Sequence, residues 1–318
     1  MQDIKSNSNK DELISIVVPV FNEKDVLLEF HKRLSNVLNT IAYRSEILYV
    51  NDGSTDCTIN VLNNISQEDQ RVRLYHLSRN FGKEIALTAG LDNAKGEAII
   101  VIDADLQDPP ELIHDMLKEW EEGYQVVYAK RIAREGETIL KRSTAFLFYR
   151  IIKYFSKITI PQDTGDFRLL SREPLDSLLL LRERNRFMKG LFAWIGFSQK
   201  EILYRRDSRF AGKSKWDYVK LWNFAIDGIT SFTVAPLKIS SYLGLMIAFG
   251  AFLYGIFVIA KTLIYGDPVP GYPSLMVVIL FLGGIQLICI GIIGEYLGRM
   301  FTETKQRPLY IIKRSKKP

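Results

Sequence analysis

Three short stretches carry side chains able to bind a phosphorylated ligand and do chemistry on it: Pro19-Val20-Phe21-Asn22-Glu23, Asn51-Asp52-Gly53-Ser54-Thr55-Asp56 and Asp103-Ala104-Asp105-Leu106-Gln107-Asp108. Carboxylates repel phosphates, so a carboxylate-lined phosphate site needs a divalent cation, and hard oxygen donors suit Mg2+ or Mn2+. Asp103 and Asp105, with Gln107, supply such donors. Each stretch also has an ordinary reading. Asp-Gly-Ser-Thr-Asp makes a turn and a helix cap, and Asp103 and Asp105 precede a helix that starts near Pro109 and Pro110. What favours a site is the conjunction of three clusters, each directly after an apolar run.

Those runs alternate with amphipathic stretches from residue 13 to 130: Ile14 to Val20, Val26 to Thr40, Ile47 to Asn51, a helix through Leu62, Val72 to Leu77, a helix from Lys83 to Ala94, Ala98 to Asp103, a helix from Pro110 to Glu122, and Val126 to Ala129. Strand and helix in alternation predict an α/β domain with a Rossmann-like, mostly parallel sheet covered on both faces. Ligands of such sheets bind outside the carboxyl ends of the strands, where the three clusters fall. No glycine fingerprint of the dinucleotide or Walker type follows the first strand, which argues against a dinucleotide oxidoreductase or a P-loop enzyme.

The 318 residues are 47% hydrophobic, enough to bury a core, and this excludes a disordered chain or a disulfide scaffold. The formal charge of +6 arises in the last twenty residues, where Arg299, Lys305, Arg307, Lys313, Arg314, Lys316 and Lys317 face only Glu303. The rest is neutral and has no basic stripe interleaved with aromatics, so nucleic acid is not an expected partner. Cys57 and Cys289 lie in stretches of opposite character, which predicts no disulfide and fits a reducing compartment. Met1 to Glu12 is polar, without the apolar region of a secretory signal. His31, His76 and His114 are isolated from these motifs and read as surface or packing residues.

Ile239 to Ala260 and Pro268 to Gly294 are uncharged runs of 22 and 27 residues, each long enough to cross hydrocarbon as a helix. Their connector, Leu263 to Tyr272, lacks Lys and Arg, whereas the outer flanks carry Lys238, Arg299 and the basic tail. The positive-inside rule then puts both termini and the polar domain in the cytoplasm, with the spans in the cytoplasmic membrane. Ahead of the first span, Trp216, Trp222, Phe224, Ile229 and Phe232 fall mostly on one side of a helix that reads either as interfacial or as a core helix. The expected organisation is a cytoplasmic domain at 1–212, a juxtamembrane amphipathic region at 213–235, two transmembrane helices within 236–298, and a basic cytoplasmic tail at 299–318. Glu295 is expected beside Arg299. Gly244, Gly250, Gly283, Gly284 and Gly291 would permit close helix packing, and so a homo-oligomer.

Residues 13 to 230 resemble the inverting family 2 glycosyltransferases of the GT-A fold, specifically the polyprenyl-phosphate glycosyltransferases such as dolichol-phosphate mannose synthases and bactoprenol glucosyltransferases. The resemblance rests on Ile16-Val17-Val18-Pro19-Val20-Phe21-Asn22-Glu23, Asn51-Asp52-Gly53-Ser54-Thr55-Asp56, Arg79-Asn80-Phe81-Gly82-Lys83 and Asp103-Ala104-Asp105-Leu106-Gln107-Asp108-Pro109-Pro110-Glu111. The two apolar runs look like the bactoprenol branch. The resemblance implies that Pro19, Phe21, Glu23 and Asp52 hold the base and ribose of a sugar nucleotide with Lys83 nearby, and that Asp103, Asp105 and Gln107 hold the metal bridging its diphosphate. In Asp163-Thr164-Gly165-Asp166-Phe167-Arg168 it makes Asp166 the candidate carboxylate near the transferred sugar. A phosphate monoester with a second pKa of about 6 is already largely dianionic at neutral pH, so the acceptor needs no base. It needs cations, and the resemblance favours Arg131 and Arg142 for the lipid phosphate. Arg205, Arg206, Arg209, Lys213 and Lys215 form a second basic cluster suited to anionic headgroups.

The expected activity is therefore metal-dependent transfer of a hexose, with inversion, to a polyprenyl phosphate: UDP-glucose with undecaprenyl phosphate first, GDP-mannose as the rival donor. A processive polysaccharide synthase would carry Gln-x-x-Arg-Trp, where this chain reads Glu183-Arg184-Asn185-Arg186-Phe187. A non-catalytic scaffold or sugar-nucleotide sensor is the alternative outside enzymology.

Overall fold

The computed structural model describes residues 12–132, 161, 164–205, 230, 233–265 and 271–313. Two units are present, one spanning 1–225 with 307–318 and the other 226–306. Arg142, with Arg134, Lys141, Arg206, Arg209, Lys213, Lys215 and the whole Trp216–Phe232 stretch apart from Thr230, lies outside the described residues.

In the first unit the alternation runs β1 (Leu13–Val20), α1 (Leu27–Leu38), β2 (Arg44–Asn51), α2 (Thr58–Glu68), β3 (Val72–His76), α3 (Lys83–Asn93), β4 (Ala98–Val101), a 3-10 turn (Pro110–Leu112), α4 (Ile113–Glu121), β5 (Val126–Arg131), β6 (Thr164–Ser171), α5 (Arg172–Leu179), α6 (Met188–Trp194) and β7 (Gln199–Tyr204). The described strands form one sheet in the order β3-β2-β1-β4-β6-β5-β7. β1 pairs in parallel with β2 and β4, as do β2 with β3 and β5 with β7; β6 alone is antiparallel to its neighbours β4 and β5. The mostly parallel α/β sheet expected from the sequence is therefore present. The fourth strand stops at Val101, two residues before the expected Asp103, and β6 begins at Thr164, three residues before the expected Phe167.

Helices on both faces explain why β1 is apolar at consecutive positions, with Ile14, Ile16, Val17 and Val18 all fully buried. α1 turns Leu27, Phe30, Leu34, Val37 and Leu38 inward, the spacing of one helical face. On the other face α3 buries Ala86, Leu87, Ala89, Gly90 and Leu91. Gly90 lets it approach β1 so closely that a Cβ there would stand 2.3 Å from Val17 Cγ1. This close seat fixes the N-terminus of α3, and with it Lys83, above the carboxyl edge of the sheet.

In the second unit, α7 (Ala235–Tyr265) and α8 (Tyr272–Thr304) are both long and apolar enough to cross a membrane. α7 extends a few residues beyond the expected Ile239–Ala260 at both ends, whereas α8 starts four residues after the expected Pro268 and continues ten residues past Gly294. Their side chains are largely exposed, including Phe249, Leu253, Phe281 and Ile290. A Cβ on any of the five glycines would meet nothing within 4 Å. Arg299 donates to Glu295 at 2.8 Å, as its placement one turn away implies. Cys57 and Cys289 are free thiols.

Residues up to Thr304 continue α8, and the segment after it returns to the first unit's sheet through a bridge between Leu77 and Ile312.

Candidate active site

The parallel register brings the first two clusters together. Val20 pairs with Asn51, so the residues following β1 and β2 leave the sheet side by side. The two loops are then laced by side chains: Asn22 N donates to Ser54 Oγ at 3.0 Å, Thr55 N donates to Asn22 Oδ1 at 2.9 Å, and Glu23 N donates to Thr58 Oγ1 at 3.0 Å. Pro19 is buried in β1 opposite Val50, while Phe21 and Glu23 are half-buried at the edge. The Glu23 carbonyl accepts from Val26 and Leu27 and starts α1. Asp56 serves the turn, accepting from Thr58 N at 3.0 Å.

Asp52 has a more specific place. Its side chain is buried, and its two oxygens accept from Phe81 N at 2.7 Å and Gly82 N at 2.9 Å. It therefore ties the Arg79–Gly82 loop to the end of β2. Burial pushes the Asp52 carboxyl up, with the two amides and Arg79 opposing. Gly53 beside it stands at φ +68°, and a Cβ would lie 2.5 Å from the Arg79 carbonyl carbon, so only glycine lets the two loops meet. The Arg79 guanidinium stacks 4.2 Å over the Phe81 ring.

The third cluster meets a fourth that sequence distance hides. Because β6 is antiparallel to β4, with Arg168 opposite Val101, the start of β6 lies at the same edge as the end of β4. Asp166 thus comes to Asp103, and Lys83 stands between them, its Nζ 2.6 Å from Asp103 Oδ2 and 2.5 Å from Asp166 Oδ2. Burial works against the Lys83 charge, but the two carboxylates outweigh it and hold the ammonium well above the usual lysine range. Asp166 is 8% exposed. Burial opposes its ionisation too, and Lys83, Lys189 and Arg168 overcome this, keeping it below the usual carboxylate range. Its Oδ1 is buried and has no hydrogen-bond partner among the described residues. Burial pushes Asp103 up to about 6, with Asp166, Asp108 and Asp105 adding to the rise and Lys83 opposing it.

From Ile102 to Asp108 buried and half-buried residues alternate: Ala104 and Leu106 go into the core, and Asp103, Asp105 and Gln107 remain partly accessible. Leu106 adopts φ +57°, a left-handed conformation costly for a bulky residue, and its buried side chain anchors the turn. Gln107 N donates to Asp105 Oδ1 at 3.2 Å across it. Among the described residues no group of three Asp, Glu, His or Cys stands in metal-holding geometry. The donor chemistry of the turn nonetheless fits a hard divalent ion. Asp103 and Asp105 offer carboxylate oxygens; burial chiefly raises the proton affinity of Asp103, with Asp166, Asp108 and Asp105 adding to it, and a cation would offset that negative charge. Mg2+ characteristically takes one or two protein carboxylates and completes its shell with water and phosphate oxygens.

Arg131, at the end of β5, donates to the Tyr204 hydroxyl at 3.3 Å, and that hydroxyl donates to the buried Asp108. Its guanidinium lies over Gly165, whose missing side chain makes the room. Four further groups received no role from the sequence. Lys189 Nζ donates to the Thr164 carbonyl at 2.9 Å and is coupled to Asp166, and burial draws its ammonium down. Glu84 is pushed up to about 7 by burial and by Asp166, and its buried Oε2 has no hydrogen-bond partner among the described residues. Arg168 packs 3.7 Å over the Phe192 ring and donates to the Gly165 carbonyl at 3.0 Å. Tyr204 closes the set. The only signal for these was placement: Glu84 adjoins Lys83, Arg168 shares β6 with Asp166, and Lys189 follows the Arg186-Phe187 pair.

Lys83, Asp103, Asp105 and Asp166 form one centre, with Arg131 beside it; Pro19, Phe21, Glu23 and Asp52 line the neighbouring edge. Such a centre can bind an anionic diphosphate through cations and steady a reacting carbon between carboxylates.

The Glycosyl transferase family 2 profile matches residues 15–179, and the GtrB C-terminal hairpin profile matches 235–300. The chain is 53% identical over 299 residues to the uncharacterized glycosyltransferase sll0501 of Synechocystis sp., covering 94% of each. It is 49% identical over 302 residues to the bactoprenol glucosyl transferase of Shigella phage SfII, covering 95% of this chain and 98% of that one. It is likewise 49% identical over 304 residues to the prophage bactoprenol glucosyl transferase homolog of Escherichia coli K12, covering 96% and 99%. Among solved structures, glucosyl-3-phosphoglycerate synthase from Mycobacterium tuberculosis, in complex with Mn2+, uridine-diphosphate-glucose and phosphoglyceric acid, aligns with a TM-score of 0.47 at 20% identity, covering 69% of this chain and 78% of that one.

Proposed function

Because the chain belongs to glycosyl transferase family 2 and is a GT-A glycosyltransferase, we propose that it transfers a hexose, glucose from UDP-glucose, to the phosphate of a polyprenol such as undecaprenyl phosphate, releasing the nucleoside diphosphate. What carries this reading is the near-full-length likeness, apolar hairpin included, to relatives that are bactoprenol glucosyl transferases. A soluble-sugar enzyme would have no use for two such helices, whereas a polyprenol cannot leave the bilayer.

In this reading the base and ribose lie along the edge formed by Pro19, Phe21, Glu23 and the remaining lone pairs of Asp52, which accept from N–H and O–H groups. Asp103, Asp105 and Gln107 are the residues that would hold Mg2+ or Mn2+, which when bound would offset charge developing on the departing diphosphate. Lys83 adds a fixed positive charge at the same place. Asp166 steadies the hexose through its unpartnered Oδ1, and is not required as a base because the acceptor is already ionised. Arg131 and Arg142 orient the acceptor phosphate. One of its oxygens bonds to the anomeric carbon as the bond from that carbon to the diphosphate oxygen breaks on the opposite face, which inverts the centre.

The two apolar helices are read as transmembrane, with both termini and the site in the cytoplasm, the connector outside, and 213–235 at the membrane surface. Association of copies through the glycines of the hairpin belongs to the same proposal, and cross-linking in membranes that finds monomers alone would remove it.

The decisive assay is two-phase: membranes containing the chain, Mg2+, undecaprenyl phosphate and radiolabelled UDP-glucose, followed by organic extraction, with Asp105→Ala as control. Label in the organic phase, absent with the variant, supports the reading. Label only with GDP-mannose would change the donor. No lipid-linked label from UDP-glucose, GDP-mannose or UDP-N-acetylglucosamine would favour a scaffold.

A further inference from the structure

The segment that follows α8 is tied by backbone pairing to the loop that approaches the site. Ser78 N donates to the Ile311 carbonyl at 2.8 Å and Lys313 N donates to the His76 carbonyl at 2.7 Å, on either side of the Leu77–Ile312 bridge. β3 is the edge strand on this side of the sheet, and the segment covers its end. Side chains anchor it as well. Tyr310 and Ile312 pack on Val50, Leu77, Ala86 and Ala89. The Tyr310 hydroxyl donates at 2.8 Å to Asp92 on α3, which also accepts from Arg182 at 2.9 Å. Arg184 donates to the Arg307 carbonyl.

Ser78 leads directly into Arg79–Gly82, and Gly82 into Lys83, the first residue of α3. Asp52 grips this loop at Phe81 and Gly82; the C-terminal segment grips it one residue before Arg79 and again along the outer face of α3. The loop is thus pinned from both ends, and one of the pins is the chain that comes out of the apolar hairpin.

We propose that residues 307–313 are a positioning element for the nucleoside diphosphate of the donor: by pinning Ser78 and α3 they hold the Arg79–Gly82 loop against Asp52 and keep Lys83 over the site. The inference rests on the reading of this edge as a sugar-nucleotide site. Sheet order gives it a distinctive consequence. The segment lies at the β3 edge, five strands away from β5, which carries Arg131 for the acceptor phosphate, so its loss weakens the donor and spares the acceptor.

The test uses the full chain. Lys313→Pro removes one N–H from the pairing while an extended residue tolerates the ring, Lys313→Ala keeps the N–H, and Tyr310→Phe removes only the hydroxyl bond to Asp92. Calorimetric titration with UDP and with GDP is combined with separate KM values for donor and polyprenyl phosphate. Expected for Lys313→Pro are an about tenfold loss of nucleoside diphosphate affinity and a matching rise in donor KM, with acceptor KM unchanged. Tyr310→Phe moves the same way by less, and Lys313→Ala binds as the unmodified chain does. Unchanged binding by Lys313→Pro overturns the proposal, and so does a rise in both KM values together with a lower melting temperature, which would mean general loosening. If the unmodified chain binds neither nucleotide, the donor-site reading falls and the proposal with it, an outcome distinguishable because the failure then precedes any substitution.

Discussion

The Lys83 ammonium donates to the Asp166 carboxylate across 2.5 Å, joining the first residue of α3 to β6 over 83 positions of sequence. The same nitrogen reaches Asp103. One cation thereby stands between two carboxylates, and it does so where the end of β4 meets the start of β6.

Lys83→Met removes that cation and leaves Asp103 and Asp166 to repel each other. Transfer activity is expected to fall by about a hundredfold, the scale of losing one preorganised electrostatic partner, with Lys83→Arg retaining part of it. Lipid-linked product formed per minute at saturating donor is the measurement; wild-type rates in Lys83→Met would contradict a role for the pair.

Removing divalent ions with a chelator is expected to stop transfer, and added Mg2+ or Mn2+ to restore it. In Asp105→Ala, restoration is expected to fail at concentrations that rescue the parent. Activity that persists through exhaustive chelation would separate this chain from the metal-dependent reading.

Gly90→Ala tests the seat of α3. In an exposed helix the change gains about 1 kcal/mol, but here the new methyl would meet Val17 Cγ1 at 2.3 Å, so overpacking of about 1–3 kcal/mol prevails and the net effect is destabilising. Thermal unfolding of the purified chain should show a lower Tm; an unchanged or higher one would mean that α3 can lift from β1 without cost.

Gly53→Ala addresses the loop junction. With φ at +68° and the Arg79 carbonyl carbon 2.5 Å from the new Cβ, the Arg79–Gly82 loop must shift away from Asp52. Donor KM should rise by about tenfold or more, whereas acceptor KM should not move.

His31 gives stability a pH dependence away from the site. It is enclosed by Tyr49, Ser35 and Asp69, with Arg71 and Glu68 near, and burial lowers its pKa, partly countered by Asp69. A histidine harder to protonate when folded than when unfolded leaves stability intact above about pH 6.5, the unfolded value, and loses it as pH falls through the folded value. The Tm should decline over that window, and His31→Gln should flatten this part of the decline. An identical slope in the variant would assign it to other groups.

Much of this is legible in the sequence. Consecutive apolar positions in Ile14–Val20, the helical face of Leu27, Phe30 and Leu34, and acidic residues after each strand read directly as a two-sided parallel sheet with a polar edge. Glu295 and Arg299 paired as their spacing implies. Asp56 serves the turn before α2, as the Asp-Gly-Ser-Thr-Asp pattern implies. What sequence spacing did not disclose was how far the used edge extends. Asp166 was named from a family likeness, but its contact with Lys83 depends on β6 running antiparallel to β4, and nothing in Phe167–Leu170 marks direction. Glu84, Arg168, Lys189 and Tyr204 went unassigned for the same reason.

The basic C-terminus is the sharpest case. Its charges are visible as composition, and composition alone describes a tail; the pairing of Ile311 and Lys313 with His76 and Ser78 is made by backbone groups that every residue carries. Local chemistry, meaning hydrophobic period, turn residues and the oxygen donors at strand ends, is written residue by residue, so the fold class, the apolar hairpin and the acidic edge follow from residue order alone. Which side chains share that edge is a long-range property: it depends on strand order and direction, and these are decided only when the whole sheet closes and distant segments find a common hydrogen-bonding register.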